Sequence, residues 1–161
     1  MERLWAPWRS QFIYQRKAPR CIFCHHPKQK QDAKYFIVKR RKQAFALLNL
    51  YPYNNGHLMV APYRHVKDLM SLTSIELNAL FMLVRECEGL LRKKFRPHGI
   101  NIGINLGRTA GAGFKDHVHV HLVPRWEGDT NYMPLLAQTK VISESLGDVY
   151  KRLTDAHQRK T

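Results

Sequence analysis

The chain has 161 residues and a mass of 18.9 kDa, which suits one compact domain and excludes two large independent ones. Its 44% hydrophobic content, with 3 Trp, 7 Tyr and 7 Phe, excludes intrinsic disorder and predicts a buried core. The 27 Lys and Arg against 12 Asp and Glu give a formal net charge of +15, so the protein attracts polyanions such as nucleic acid, anionic lipid or polyphosphate metabolites.

The first third of the chain carries most of this charge. Residues 1–50 hold 12 of the 27 basic side chains and only Glu2 and Asp32 as acids. Residues 1–20 alternate aromatic, basic and proline residues, which predicts a basic, aromatic arm that packs on the domain or on a neighbouring subunit. The basic run at 39–42 is predicted to be a solvent-exposed turn.

Alternating apolar residues predict five strands. Turn residues rich in Gly, Pro and Asn separate them, and a glycine-rich loop covers 107–113. The predicted strands are 35–39, 44–49, 57–61, 101–106 and 117–123.

Helical periodicity predicts one long and one short helix. Thr73 followed by Glu76 has the spacing of a capping box, and apolar residues then recur at helical period over 74–95, with Cys87 in the buried stripe. A short helix is predicted around 146–153. The order of strands, helix and strands predicts a single α+β domain, with a mostly antiparallel sheet and its helices packed on one side.

The sequence predicts a cytoplasmic protein. No apolar stretch approaches the roughly 18 residues that a membrane span requires, and residues 1–10 lack the apolar segment of a signal peptide. The 3 cysteines include Cys21 and Cys24 in a C-x-x-C spacing, which suits a metal site or a redox pair better than a disulfide framework.

Three histidines alternate with apolar residues after the glycine-rich loop. On a strand this pattern places His117, His119 and His121 on one face, with each histidine about 7 Å from the next one along the chain. An ordinary half-buried strand is the plain interpretation, but Lys, Thr or Glu would serve a solvent face equally well. Three imidazoles in five residues instead concentrate nucleophilic and ligand nitrogens. The backbone amides of the preceding loop could bind a phosphate. The loop indicates a phosphate site only together with these histidines, because an ordinary flexible hairpin is equally rich in glycine.

The C-x-x-C motif leaves three interpretations open, namely a zinc site, a redox pair and two buried thiols. A redox pair is the least favoured, because the motif lies in an irregular basic segment with no strand before it and no helical pattern after it. The adjacent His25 and His26 are expected to be exposed.

Together these motifs carry a family resemblance. The run from His117 to Val123, read with Asn105-Leu-Gly and with Gly56 to Pro62, resembles the histidine triad (HIT) family of nucleotide hydrolases and transferases. The similarity extends from Cys21 to about Trp126. The chain further resembles the branch that cleaves diadenosine polyphosphates, in residues 51–53, 124–126 and 128–131. The resemblance implies a HIT-like fold and a homodimer.

The resemblance implies a covalent mechanism for diadenosine polyphosphate phosphorolysis or hydrolysis. The middle histidine, His119, would attack the α-phosphorus and become a nucleotidyl-histidine, which water or phosphate then cleaves. His121 would donate to the phosphate, and His57 would support the triad. An imidazole suits this attack because, with a pKa of about 6.5, it is mostly neutral at pH 7. The mechanism requires the His119 ring to be free, uncharged and aimed at the innermost phosphorus of the bound nucleotide, and not covered by packed side chains or bound to an ion.

Further substrate contacts follow from the resemblance. Asn49 matches a ribose-binding position, and Asn105 matches a position that contacts the phosphates. Many relatives place Gln, Ser or Thr where this chain has Ala112-Gly113-Phe114, which leaves open whether phosphate or water is the second acceptor. The remaining implied substrate-binding residues are Gly111, Ala112, Gly113 and Trp126.

The resemblance also implies a structural zinc ion held by Cys21, Cys24, His65 and His117. Two thiolates and two imidazoles form a closed tetrahedral set, which leaves no open position for catalysis. Such an ion would pin the N-terminal segment to the strand that presents His119. No organic cofactor is expected.

Three other functions stay open at this stage. The first is a nucleoside phosphoramidase or nucleotidyltransferase of the same family, which substrate competition would distinguish. The second is a basic nucleic-acid-binding or deadenylating module, although no recognition helix or aromatic sheet pattern accompanies the charge. The third is a zinc-stabilised scaffold without turnover, which retained function after His119→Ala would favour.

Overall fold

A five-stranded antiparallel sheet forms the centre of the protein. The computed structural model describes residues 20–129 and 141–155, so the predicted arm lies outside the described residues apart from Arg20. The strands are β1 (Ile37–Arg40), β2 (Ala44–Leu48), β3 (Leu58–Pro62), β4 (Gly99–Ile104) and β5 (Val120–Arg125). They lie in the order β1-β2-β3-β5-β4, and every neighbouring pair is antiparallel.

The helices confirm the predicted α+β class. Three are described, α1 (Ile22–His25), α2 (Ser74–Phe95) and α3 (Leu146–Thr154), and a 3-10 turn at His26–Gln29 follows α1. Both longer helices pack on one face of the sheet, as predicted. The short α1, which the sequence pattern does not predict, places Phe23 against the opposite face. No helix in the described ranges has the length and apolar character to cross a membrane.

Strand β2 shows how alternation divides the sheet into two faces. Ala44, Ala46 and Leu48 point to the core beneath α2, whereas Phe45 and Leu47 point to the other face. All five side chains are buried, so both faces of this strand are covered. The second face carries the histidine row, so the side chains that cover this face belong to the candidate site.

The basic run at 39–42 is only partly the exposed turn that we predict from the sequence. Strand β1 extends to Arg40, whose guanidinium bonds Asp32. Lys39 and Arg41 both reach Glu86 of α2, each at 2.7 Å. These ion pairs hold the basic residues against the protein because Glu86 lies within their reach across the end of β1 and β2.

Strand β5 begins three residues later than predicted. Its ladder with β3 starts at the pair Val60 and Val120, and the amide of Val118 donates instead to the carbonyl of Val66 at 2.7 Å. His121 is therefore the one triad histidine inside the strand, and the other two lie in the extended segment before it. The strand continues through Pro124. Its ladder with β3 ends at the pair Leu58 and Leu122, so no residue of β3 needs the amide hydrogen that proline lacks.

Helix α2 has the predicted bounds because strong signals mark both ends. The Thr73 side chain accepts from the Glu76 amide, and the Glu76 carboxylate accepts from the Thr73 amide. Arg96 ends the helix in a left-handed conformation, with φ of 47°, before Pro97. Cys87 is fully buried in the core as predicted, and burial raises the pKa of its thiol to about 12.

We expect the cap of α2 to make stability sensitive to acid. Hydrogen bonds from Arg64 and from the Thr73 amide lower the pKa of Glu76 from 4.5 to about 2. A depressed carboxyl pKa contributes stability above pH 4.5, which is lost as the pH falls towards 2. Glu76→Gln should lower the free energy of unfolding at pH 7 by about 1 kcal/mol and flatten its decrease between pH 4.5 and 2, as measured by urea denaturation.

Glu88→Gln is the matched control, because Glu88 makes only an exposed ion pair with Arg92 one helical turn away. Equal losses in the two variants, or an unchanged acid dependence in Glu76→Gln, would contradict the role given to the cap.

Candidate active site

The backbone sets the tautomer of His119. Its Nδ1 lies 2.8 Å from the carbonyl oxygen of His117. A carbonyl oxygen only accepts, so Nδ1 carries the ring proton and Nε2 keeps its lone pair. Within residues 20–129 and 141–155, Nε2 has no hydrogen-bond partner. Burial lowers the pKa of His119 below its usual value, which keeps the ring neutral and nucleophilic.

The ring of His119 is less open than the sequence predicts. Its side chain is 2% exposed because Phe23 stacks on its face, with centroids 4.7 Å apart and ring planes at 29°. The expectation that no packed side chain covers the ring is therefore wrong for its face, whereas the ring is neutral as expected and its Nε2 has no hydrogen bond within the described residues. The neighbouring His121, whose ring centroid lies 4.8 Å away, is half-buried and connects the row to the surface.

A second chain of hydrogen bonds sets the proton on His121. The Tyr53 amide donates to Nδ1 of the buried His57 at 3.1 Å, so His57 carries its proton on Nε2. That nitrogen donates to Nδ1 of His121 at 2.9 Å. His121 therefore keeps a proton on its own Nε2. The result is a neutral ring that presents an N–H donor beside the lone pair of His119.

Burial keeps both rings of this relay neutral. Burial is the main cause that lowers the pKa of His57 to about 3, and the adjacent His121 and His119 contribute to the same shift. Burial likewise lowers the pKa of His121 to about 4, with a smaller contribution from His119. Neutral rings are what the tautomer assignment requires.

The two asparagines predicted to contact nucleotide lie close to the histidines and to the loop. Asn49 donates from Nδ2 towards His57 Nδ1 at 3.3 Å, and its Oδ1 accepts from the Tyr51 amide at 2.9 Å. Asn105 lies beside the glycine-rich loop, where its Nδ2 is 3.8 Å from the position that a Cβ on Gly111 would take. Their contacts with ribose and phosphate stay predictions.

The glycine-rich loop uses part of its donor capacity internally. The Gly111 amide donates to the carbonyl of Arg108 at 2.9 Å, and the Ala112 amide donates to that of Gly107 at 3.2 Å. Gly107 and Gly111 have φ of 85° and 87°, which only glycine adopts readily. In the described part of the chain, the Gly113 amide alone among the three predicted phosphate donors has no partner.

Trp126 lies apart from the other predicted site residues. Its half-buried side chain packs against the core beneath the helices, whereas the histidine row belongs to the other face. Its amide lies 3.2 Å from a carboxylate oxygen of Asp129. The substrate contact predicted for Trp126 stays a prediction.

The four predicted metal ligands converge. Their ligand atoms all lie within 4.8 Å of one another. His117 Nε2 donates to the Pro62 carbonyl at 3.0 Å, which leaves the Nδ1 lone pair facing the cluster. Nδ1 of His117 lies 3.3 Å from Cys21 Sγ, 3.5 Å from Cys24 Sγ and 3.3 Å from His65 Nδ1.

These distances fit a tetrahedral ion. Zinc with bonds of about 2.3 Å to sulfur and about 2.05 Å to nitrogen separates sulfur from nitrogen by about 3.5 Å, and nitrogen from nitrogen by about 3.3 Å. The structure favours a metal over a redox pair, because two imidazole nitrogens converge with the two sulfur atoms in one cluster. Both cysteines are free rather than joined in a disulfide.

The neighbouring histidines are not the exposed side chains that we expect from the sequence. His25 and His26 are both half-buried. The His26 ring stacks on Tyr35 with centroids 4.4 Å apart, which explains its burial. Neither residue joins the metal-ligand cluster.

Two contributors to the site have no clear signal in the sequence. Phe23 covers the His119 ring, and its only signal is its position between the two cysteines. The Tyr53 amide sets the proton on His57, and a backbone donor in a loop has no sequence signal at all.

Known proteins are similar to this chain in sequence and in fold. The HIT domain family matches residues 30–128. A Mycobacterium tuberculosis protein named AP-4-A phosphorylase is 39% identical over 162 residues, which cover 95% of this chain and 83% of that relative. The chain therefore belongs to the HIT domain, or histidine triad, family.

Two solved structures of histidine triad proteins share the fold. A hypothetical nucleotide-binding member from Sulfolobus tokodaii is 24% identical, with a TM-score of 0.68, over 83% of this chain and 89% of that one. A zinc-bound member from Mycobacterium smegmatis is 23% identical, with a TM-score of 0.67, over 83% of this chain and 90% of that one.

The tautomers can be measured directly. At pH 6, imidazole nitrogen shifts should show neutral rings with the proton on Nε2 for His57 and His121, and with the proton on Nδ1 for His119. A free histidine is largely protonated at that pH, since its pKa is about 6.5. Heteronuclear NMR of uniformly labelled protein tests this, and titration of His57 or His121 near pH 6.5 would contradict the relay.

Proposed function

We propose that this protein cleaves diadenosine polyphosphates into nucleotides through a covalent nucleotidyl intermediate on His119. The observation that carries the proposal is the fixed tautomer of this neutral ring, with Nδ1–H bonded to the His117 carbonyl and a lone pair on Nε2. The name of the mycobacterial relative, AP-4-A phosphorylase, supports the substrate class.

In the first step, the Nε2 lone pair of His119 attacks the α-phosphorus. A phosphorus–nitrogen bond forms, the bond from phosphorus to the bridging oxygen breaks, and that oxygen leaves with the electron pair. With diadenosine tetraphosphate the products are an adenylyl-histidine and ATP. The His117 carbonyl stabilises the positive charge that the substituted ring acquires, because it accepts a hydrogen bond from Nδ1–H.

In the second step, an oxygen nucleophile attacks the same phosphorus. The phosphorus–nitrogen bond breaks, and its electron pair returns to Nε2. Water, which loses a proton, gives AMP, whereas inorganic phosphate gives ADP. A two-step route through a covalent intermediate replaces one difficult attack on a strongly anionic centre.

Two donors can stabilise the phosphate oxygens during both steps. The Nε2–H of His121 is held in place by His57, and the Gly113 amide has no partner in the part of the chain that the structure describes. Fixed donors of this kind favour the charge that develops in the transition state. The net charge of +15 steers the polyanionic substrate towards the protein.

Mass spectrometry of the protein incubated with diadenosine tetraphosphate tests the mechanism. An AMP adduct should appear on His119 and disappear in His119→Ala, with turnover reduced about a thousandfold or more. ADP formed only when phosphate is present would identify a phosphorylase, and AMP in its absence a hydrolase. Residues 112–114 carry no hydroxyl or amide side chain, so the sequence does not show whether water or phosphate is the second acceptor. The product of this experiment, AMP or ADP, shows it.

His98→Ala is the control, because His98 lies at the edge of the sheet and accepts a hydrogen bond from the Glu127 amide. Its turnover should stay within about twofold of the parent protein. Retained turnover in His119→Ala would eliminate the covalent mechanism, and an adduct formed only from nucleoside phosphoramidates would indicate a phosphoramidase.

The same structure supports a structural zinc ion on Cys21, Cys24, His65 and His117. The proposal rests on the ligand distances and on the donor set of two sulfurs and two nitrogens. When bound, zinc would crosslink the α1 turn to the segment that carries the histidine row.

We expect about one zinc ion per chain in protein purified without chelator. Cys24→Ser should lower the zinc content severalfold and reduce the melting temperature, because a structural ion stabilises only the folded chain. Cys87→Ala should keep its zinc while losing some stability, since Cys87 is a core residue of α2. Elemental analysis and thermal denaturation measure both. Full zinc occupancy in Cys24→Ser would remove this assignment.

A homodimer and a cytoplasmic location stay predictions. The edge strand β4 supports a dimer, because its outer side pairs with no strand among residues 20–129 and 141–155 and Ile102 is 46% exposed.

A further inference from the structure

Phe23 lies where the metal-ligand cluster meets the histidine row. It occupies the turn between Cys21 and Cys24 and is 0% exposed. Its ring stacks on the His119 ring at 4.7 Å and lies 5.1 Å from the His117 ring. One side chain therefore joins the turn that carries two ligands to the proposed nucleophile.

The stack restricts rotation of the His119 ring without blocking its reactive nitrogen. The hydrogen bond from Nδ1 to the His117 carbonyl fixes one edge of the ring. A flat group on the ring face resists rotation about the bond that joins the ring to Cβ. The Nε2 lone pair lies in the plane of the ring, so a partner on the face leaves its direction open.

Phe114 supports Phe23 in turn. The two rings meet edge-on, with centroids 5.7 Å apart and planes at 80°. Phe114 belongs to the loop before the histidine row, so this contact ties that loop to the α1 turn. The aromatic pair is built from two segments that are far apart in the sequence.

The turn that carries Phe23 has little stability of its own. Helix α1 has four residues and no side-chain cap at Cys21, and an isolated turn of this length is unstable in water. Its position depends on the burial of Phe23 against Phe45, at 6.5 Å between centroids, and on the cysteines. The hold on His119 is therefore a tertiary feature.

We propose that Phe23 is a positioning residue for nucleotidyl transfer, which stacks on the His119 imidazole and holds Nε2 in the direction of attack. The inference rests on the proposed function, and it assigns to Phe23 a role in the rate of the first step rather than in substrate affinity.

Phe23→Leu tests the assignment, because leucine keeps an apolar side chain and removes the flat ring. The rate of adduct formation in a single turnover should fall about tenfold or more, while KM stays within about threefold of the parent value. The NMR signals of the His119 ring should change from one tautomer to an exchange-broadened mixture. Zinc content, measured on the same samples, should not change.

Phe95→Leu is the matched control, because it removes a buried ring from the core beneath α2, on the other face of the sheet from Phe23 and His119. It should leave the rate of adduct formation within about twofold and the tautomer signal unchanged. Equal losses in the two variants, or a Phe23→Leu protein that changes only KM, would overturn the positioning role.

A second variant covers the case in which Phe23→Leu does not fold. Phe114→Leu removes only the edge-on support, and it should slow adduct formation about threefold, with a broadened His119 signal. An unchanged rate and signal would overturn the inference. If the parent protein forms no adduct, the proposed function fails, whereas the tautomer signals still report whether Phe23 holds the ring.

Discussion

The arrangement of the site depends on the bonds of one buried residue, His117. Its Nε2 donates to the Pro62 carbonyl, its Nδ1 faces the cysteines, and its own carbonyl accepts from Nδ1 of His119. The sheet, the metal-ligand cluster and the proposed nucleophile His119 are therefore all bonded to one residue. A displacement of His117 would therefore alter the contact with the sheet, the metal-ligand cluster and the proposed nucleophile together.

The two faces of the sheet have separate tasks. The face beneath α2 is a continuous apolar core, and it gives the sheet its stability. The opposite face carries smaller apolar cover, in which Phe23 and Phe45 pack beside the histidines. Because alternate residues of one strand serve the two faces, the core and the site are built from the same strands. The side of the sheet that packs against α2 thus supports the side that carries the candidate site.

The sequence predicts the parts of this protein that depend on periodicity and on strong local signals. Helix α2 has the predicted bounds because Thr73 and Pro97 mark its ends, and the ligand set converges as the family resemblance implies. The start of β5 could not be predicted, because it depends on where β3 offers a partner. Burial of the His119 ring by Phe23 could not be predicted either, because that contact joins α1 to a segment almost one hundred residues away in the sequence.

Main-chain groups, rather than side chains, decide where the protons of the histidine row reside. The Tyr53 amide, the Pro62 carbonyl and the His117 carbonyl each satisfy one ring nitrogen, and among single substitutions only proline at position 53 would remove one of these groups. The protonation pattern is consequently a property of chain geometry. An insertion or deletion in the loop before β3 would disturb it, whereas evolution can vary the residue at position 53 and still preserve the same acid–base state.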